Sequence, residues 1–287
     1  MSARMHPDQV IATPALVRQL VDEQFPQWAD RPMTRVEHHD TDHDVHRLGD
    51  DLVVRLPVVG WATGQAEAER RWLPVLGPHL PLAVPQHRAT GRPAHGYPYA
   101  WSVWEWLPGH PVRQRLGDQD ADLLAHFVAA LHAVPTDTAP PRRPRSRGGP
   151  LAERDDEVRE CVAVLGSAVD GPRTLATWTD AVAAPGWGED VWLHGDLLPG
   201  NVLVHEGRVS AVIDWGSLTT GDPAADLVPA WHLFRRPDRF LHGQDDATVA
   251  RARGWVISQA VIALPYHRDT NPGIVAQSLR ALAAVLS

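Results

Sequence analysis

The sequence predicts an α+β fold of two lobes, with a sheet-bearing N-terminal lobe and a mostly helical C-terminal lobe. Three observations predict it. Strand-like apolar runs crowd the first hundred residues, and helical periodicity dominates the remainder. An apolar, tryptophan-rich run, Ala100 to Leu107, halts at the breaker pair Pro108-Gly109. Residues 191 to 215 interrupt the helical half with strand, loop, strand, tight turn and strand. The expected division is residues 1–107 and 108–287, meeting at a hinge near 104–109.

Each element has a local cause. Thr13-Pro14 opens a helix, as an N-cap followed by a first-turn proline. Leu16, Leu20, Val17 and Val21 give that helix a buried face. Val45 to Pro57 reads as two short strands around a turn at Gly49-Asp50. A helix follows from about Gln65 to Leu76, which Pro74 should kink or end. Residues 77 to 98 read as loop with short strands. Asp120 to Val134 is an amphipathic helix, and the Pro-, Arg- and Gly-rich stretch Pro135 to Pro150 is expected to be a mobile loop. Its basic part, Arg142-Arg143-Pro144-Arg145-Ser146-Arg147, reads as a solvated linker.

The bulk properties exclude several classes. A net charge of -8 argues against a nucleic-acid binder, which would show a basic face. No stretch approaches the roughly 18 apolar residues that span a bilayer, and Met1 to Val10 lacks a signal-peptide pattern. A cytoplasmic location is the default expectation. Cys161 is the single cysteine, so no intrachain disulfide forms, and its helical setting suits a structural thiol better than a nucleophile. All 27 basic residues counted as Lys or Arg are arginines.

The chemistry concentrates in Val191-Trp-Leu-His194-Gly195-Asp196-Leu-Leu-Pro-Gly-Asn201-Val-Leu-Val204. A turn at Glu206-Gly207-Arg208 sends the chain back as Val209 to Ile213, and Asp214-Trp215-Gly216 ends it. That hairpin should return Asp214 to the side of Asn201. One amide and one carboxylate can then hold a divalent cation through oxygen, as magnesium prefers. Asp196 is left to orient or deprotonate a hydroxyl. These are the parts that phosphoryl transfer needs. Against this stands the plain alternative that His194 and Asp196 satisfy loop backbone groups; for His194 bracing is the favoured reading.

At this point the chain resembles the aminoglycoside phosphotransferase family, which shares the protein-kinase architecture. His194-Gly-Asp196-Leu-Leu-Pro-Gly-Asn201 is similar to its catalytic loop, and Ile213-Asp214-Trp215-Gly216 to its metal-binding turn. Arg47-Leu-Gly-Asp-Asp-Leu-Val-Val-Arg55-Leu-Pro, Glu69-Arg-Arg-Trp-Leu-Pro74 and Gly221-Asp222-Pro223-Ala-Ala-Asp226-Leu extend the likeness. The resemblance implies a two-lobe protein-kinase-like fold and a magnesium- and ATP- or GTP-dependent O-phosphotransferase. Its acceptor would be a small hydroxylated molecule, by default an aminoglycoside or related antibiotic. The alternatives are a kinase of a macrolide, choline, homoserine or sugar, or a catalytically weak nucleotide or metabolite binder. The resemblance makes Asp196 the catalytic base, with Asn201 and Asp214 as catalytic groups and metal ligands. Trp104-Glu105-Trp106-Leu107 becomes the hinge whose backbone meets the nucleotide base, with core packing as the competing role for the tryptophans. Asp226 would tie the catalytic loop to the helical lobe or simply start a helix. Asp222 and Asp226 would leave room for a cationic acceptor.

Two departures from the pattern stand out. The strand lysine that grips the nucleotide phosphates is replaced by Arg55, whose partner would be Glu69, with Glu67 as fallback. The loop expected to cover the phosphates, His38-His39-Asp40-Thr41-Asp42-His43-Asp44-Val45-His46, has no glycine and carries three carboxylates. At about 4 Å a like-charge pair costs about 4 kcal/mol at an effective dielectric of roughly 20. Three readings follow: a solvated turn, a nucleotide cover, or a transition-metal site built from alternating His and Asp.

Overall fold

A computed structural model describes residues 8–36, 42–142 and 145–287. Helix α1 (Pro14–Gln24) starts as its sequence dictates: the Thr13 hydroxyl accepts the Leu16 N–H at 3.2 Å, and Val17, Leu20 and Val21 are buried. Five antiparallel strands follow, β1 (Met33–Arg35), β2 (His43–Leu48), β3 (Leu52–Pro57), β4 (His87–Gly91) and β5 (Trp101–Glu105). They form one sheet in the order β1-β2-β3-β5-β4. Helix α2 (Gln65–Leu76) runs between β3 and β4. Pro74 lies inside it and does not end it. Proline fits a helical φ, and so near the C-terminus its missing N–H costs one bond of the last turn. The helix closes two residues later, where Gly77 N–H donates to Leu73 O.

The chain then leaves the five-stranded sheet. Trp106 N–H donates to Asp51 O at 2.8 Å, and strand β6 (His110–Pro111) joins a second sheet with β8 (Val202–His205) and β9 (Arg208–Val212). Gly109, at φ 125°, makes the crossing; a Cβ there would lie 2.8 Å from Val204 O. Strand β7 (Val191–Leu193) pairs with β10 (Thr219–Gly221). Helices α3 (Asp118–His132), α4 (Asp155–Leu165), α5 (Gly171–Ala183), α6 (Pro229–His232), α7 (Pro237–Phe240), α8 (Asp246–His267) and α9 (Pro272–Val285) complete the C-terminal part. The α+β expectation holds, with strands leading and helices following.

The core separates in the same way. One cluster packs α1 against the sheet through Val17, Leu20, Leu48, Val54, Leu56, Trp101 and Val103. The larger cluster joins the C-terminal helices to the β7–β9 region and takes in Trp72, Leu73 and Leu76 of α2. A fully buried Leu or Phe stabilises by about 1.5–3 kcal/mol relative to exposure, so α2 is held chiefly by the C-terminal core. Cys161 is half-buried in α4, and burial, Glu157 and Glu160 raise its pKa, as suits a packed thiol. Among the described residues no helix is long and apolar enough to cross a membrane.

Candidate active site

Strand β7 delivers the chain into the loop His194-Gly195-Asp196, and Asp226 holds that loop from below. Its two carboxylate oxygens accept the N–H groups of His194 and Gly195, each at 2.8 Å. Asp226 is wholly buried, so its role is to tie the loop, not to start a helix. His194 is equally buried. Its Nδ1 accepts from Asp196 N–H at 3.1 Å and its Nε2 donates to Ile213 O at 3.1 Å. Burial pushes its pKa down, against Asp226 and Asp196, so the ring stays neutral and both bonds persist. The ring also packs on Trp215, with centroids 4.7 Å apart. His194 thus braces the loop against the turn that follows β9.

Gly195 has φ 77°, and a Cβ there would sit 2.8 Å from Ser217 O. Only glycine takes that conformation without strain.

Asn201 and Asp214 meet through the β8–β9 hairpin. Its two-residue turn, Glu206 (φ 51°) and Gly207 (φ 79°), has the positive angles of a type I′ turn. Ile213 N–H donates to Asn201 O at 2.9 Å, which brings the next residue, Asp214, to the level of Asn201. Asp214 itself takes a left-handed φ of 57°. Asn201 Nδ2 donates to Asp196 O (2.8 Å) and to Asp196 Oδ2 (3.2 Å), so its Oδ1 is the atom presented to a ligand. The Asp196 and Asp214 side chains are 23% and 31% exposed, so the three groups converge on an opening rather than a sealed interior.

The residues expected to meet the nucleotide make two separate sets of contacts. Arg55 Nη1 donates to both oxygens of Glu69 at 3.0 and 2.9 Å, and Nη2 donates to Asp214 Oδ1 at 3.2 Å. Glu69, not the exposed Glu67, is the partner. It also accepts Trp215 N–H at 2.9 Å, which fixes α2 to the turn. Trp104 is buried, with Nε1 donating to Ser102 Oγ at 2.8 Å, so its side chain packs the core. Glu105 pairs with Arg88 at 3.4 Å, and Arg47 lies over the Trp106 ring at 5.1 Å. The amides of Glu105 and Trp106 already donate to Gln86 O and Asp51 O, both at 2.8 Å. Carbonyl oxygens, which accept more than one bond, are therefore what this pair can offer a base.

Three expectations need correction. The glycine-free stretch 38–46 is not one loop: His43 to His46 belong to β2, and residues 38–41 lie outside the described residues. Asp44 is buried, and Arg35 donates to it at 2.7 Å. Burial alone would raise its pKa, but His46 and Arg35 outweigh burial and hold it low. Its charge is thus compensated. Among the described residues no cluster of three His, Cys, Asp or Glu side chains could hold a metal ion.

Asp222 and Asp226 do not line an acceptor pocket. Asp222 is buried and accepts from Arg251 at 2.8 and 3.1 Å and from Ala224 N–H at 3.0 Å; Asp226 is spent on the loop.

The basic stretch is more than a solvated linker. Arg143 and Pro144 lie outside the described residues, but Arg147 reaches the site. Its Nη1 donates to Gly195 O at 2.8 Å and pairs directly with Asp196 Oδ1. Backbone packing puts it there. Gly148 O accepts Asp222 N–H at 2.8 Å, and a Cβ on Gly148 would lie 2.2 Å from Leu193 Cδ1. Composition could not reveal this. The Gly148-Gly149 pair after Arg147 was the available signal, since adjacent glycines permit close approach as readily as a turn.

A sequence profile of the phosphotransferase enzyme family matches residues 34–256. The uncharacterized protein YcbJ of Bacillus subtilis (strain 168) is 28% identical over 183 residues, 59% of this chain and 56% of that protein. The chain thus spans little more than half the length of that curated relative. Among solved structures, the GDP complex of wild-type aminoglycoside 2'-phosphotransferase-IIIa superposes with a TM-score of 0.72 at 17% identity, over 96% of this chain and 99% of that one. Apo macrolide 2'-phosphotransferase MphH from Brachybacterium faecium gives 0.60 at 25% identity, over 93% and 97%. The fold is therefore protein-kinase-like.

Proposed function

Because the chain belongs to the phosphotransferase enzyme family, we propose that it is a nucleotide-dependent O-phosphotransferase acting on a small hydroxylated molecule with magnesium. One observation carries the reading: Asp196, Asn201 and Asp214, from two successive turns, converge on a single opening. In this reading residues 1–107 bind the nucleotide and 108–287 supply the catalytic loop and acceptor site.

The donor set suits magnesium. Asn201 Oδ1 and the Asp214 carboxylate are hard oxygen ligands, and magnesium commonly takes one or two carboxylates plus substrate phosphates. When bound, the ion neutralises charge on the transferring phosphates. Arg55 would hold phosphate oxygens with the guanidinium edge that now faces Asp214, while Glu69 keeps it in place. The hinge at 104–109 would meet the base, and ATP or GTP fits this role. Asp196 would accept or orient the acceptor hydroxyl, with Asn201 fixing its carboxylate.

The test is transfer of the terminal phosphate to a hydroxylated acceptor, with and without magnesium. Asp196→Asn should cut turnover by at least about 100-fold, the scale of general-base loss, while leaving nucleotide affinity near wild type. Near-normal turnover would remove Asp196 from the mechanism. A catalytically weak binder would bind nucleotide and show no magnesium-dependent turnover that Asp196→Asn abolishes.

A further inference from the structure

We propose that the acceptor carries an anionic group, a carboxylate or a phosphate, held beside its reacting hydroxyl by Arg147, Arg115 and His232. This rests on the phosphotransferase reading above and names the substrate class of the same site.

The argument begins at Asp196. Its charged neighbour is Arg147, whose bonds among the described residues all leave from Nη1. Nε and Nη2 of a guanidinium that is 30% exposed remain to be used. A second arginine comes from the segment after β6. Val112 N–H donates to Pro199 O at 3.0 Å, which places this segment against the catalytic loop. Leu116 N–H donates to Leu233 O at 2.8 Å, and Arg115 Nη1 donates to Phe234 O. Arg115 is exposed and is anchored at one nitrogen.

His232, the last residue of α6, directly precedes Leu233 and Phe234, which accept those two bonds. Neither of its ring nitrogens has a hydrogen-bond partner among the described residues, and both are shielded from solvent. A shielded imidazole with no partner is costly unless a ligand completes it. Burial first, and then Arg115, Arg147 and Arg280, hold its pKa down to about 4 against the pull of Asp196. The ring is therefore a neutral donor in a field of arginines. The carboxylate acting on it is Asp196, which the chemistry already uses.

Neither acid that the sequence offered for an amino sugar, Asp222 or Asp226, is available to one. Asp222 is neutralised by Arg251 and Asp226 by the loop amides. A cationic acceptor would meet arginine where it needs carboxylate. An anionic one would take the spare Arg147 and Arg115 donors and the His232 N–H, which sets its hydroxyl beside Asp196. In the transfer, the acceptor oxygen bonds to the terminal phosphorus of the nucleoside triphosphate. The bridging P–O bond breaks, its electron pair leaves with the nucleoside diphosphate, and the hydroxyl proton passes to Asp196.

The experiment uses the full chain with magnesium and a non-hydrolysable nucleoside triphosphate. Binding is measured for four compounds on the six-carbon glucose skeleton, gluconate, glucose 6-phosphate, glucose and glucosamine, and for kanamycin. At least one anion should bind about tenfold or more tightly than glucose and glucosamine. Gluconate against glucose 6-phosphate separates carboxylate from phosphate. Arg147→Ala and, independently, Arg115→Ala should erase the anion's advantage, and Arg147→Lys should restore part of it. Tighter binding of kanamycin or glucosamine, equal binding of all five, no saturable binding of either anion, or an advantage that survives both alanine variants would each overturn the proposal. Magnesium-dependent nucleotide hydrolysis by wild type but not by Asp196→Asn, measured without acceptor, shows separately whether the phosphotransferase reading stands.

Discussion

Arg55 grips Glu69 with a single nitrogen, Nη1 lying 3.0 and 2.9 Å from the two carboxylate oxygens, and this leaves Nη2 directed at Asp214. A lysine in the same place would be one point charge and could not bind both partners in a fixed plane. The pair is nearly dry, with side-chain exposures of 11% and 2%. Glu69→Ala should therefore do two things. It should lower stability by about 3–5 kcal/mol, the cost of stranding a buried charge, and it should raise nucleotide KM by about tenfold or more as Arg55 loses its orientation. Urea unfolding and nucleotide titration read the two effects. A folded variant with unchanged nucleotide affinity would mean that the pair is structural only.

Gly195→Ala tests the loop proposed as catalytic without touching a charged group. The positive φ alone costs about 1–2 kcal/mol for an L-residue, and the added Cβ must push Ser217 O from 2.8 Å. Because Gly195 lies between His194 and Asp196, the strain should appear as lost turnover with nucleotide affinity kept. If turnover and melting temperature both match wild type, the loop has more freedom than this geometry allows.

Acid should weaken the fold through its neutral histidines. His194 and His232 both have folded pKa values below the ordinary 6.5, each chiefly through burial. Below 6.5 the unfolded chain binds protons that the folded chain refuses, so stability is full above that pH and declines as pH falls towards the folded values. For His232 that window runs from 6.5 down to about 4. Urea midpoints between pH 7.5 and 5 should fall in wild type and fall less steeply in His232→Gln. Parallel slopes would assign the acid sensitivity to other groups.

What could be read from the sequence followed how local the causes are. The α1 cap, the β2–β3 hairpin and the β8–β9 turn each depend on neighbours within a few residues, and all appear as expected. The meeting of Asp196, Asn201 and Asp214 was legible for the same reason, since a six-residue loop joins the first two and one short hairpin returns the third. The Arg55–Glu69 pair spans 14 positions and was reachable through the family pattern. Arg147 was not: its contact with Asp196 spans 49 positions and depends on a glycine backbone nesting against Gly221. Asp222 misled for a related reason. Its partner Arg251 lies 29 residues on, in a helix whose sequence gives no sign of which carboxylate it seeks. A buried pair of this kind looks, in sequence, like two surface charges.

Asp226 offers the sharpest separation of scaffold from chemistry. Its two oxygens each take one backbone N–H, from His194 and Gly195, and the side chain touches neither Asn201 nor Asp214 in any bond it makes among the described residues. Asp226→Asn keeps the shape but replaces one acceptor by an NH2 group facing an N–H. One buried donor is then unsatisfied, at a cost of about 1–3 kcal/mol. His132 Nε2, 3.6 Å from Oδ2, loses a nearby negative charge as well. The loop should shift by less than a bond length, yet Asp196 is two residues from the disturbed amide, and misplacement of about 1 Å can cost about 100-fold. The variant should therefore keep its fold and nucleotide affinity while turnover falls by about 10- to 100-fold, without changing the pH at which half-maximal turnover is reached. Equal loss of nucleotide affinity would place Asp226 in the general stability of the C-terminal core. A shifted pH profile would make it an electrostatic partner of Asp196 and not a positioning residue.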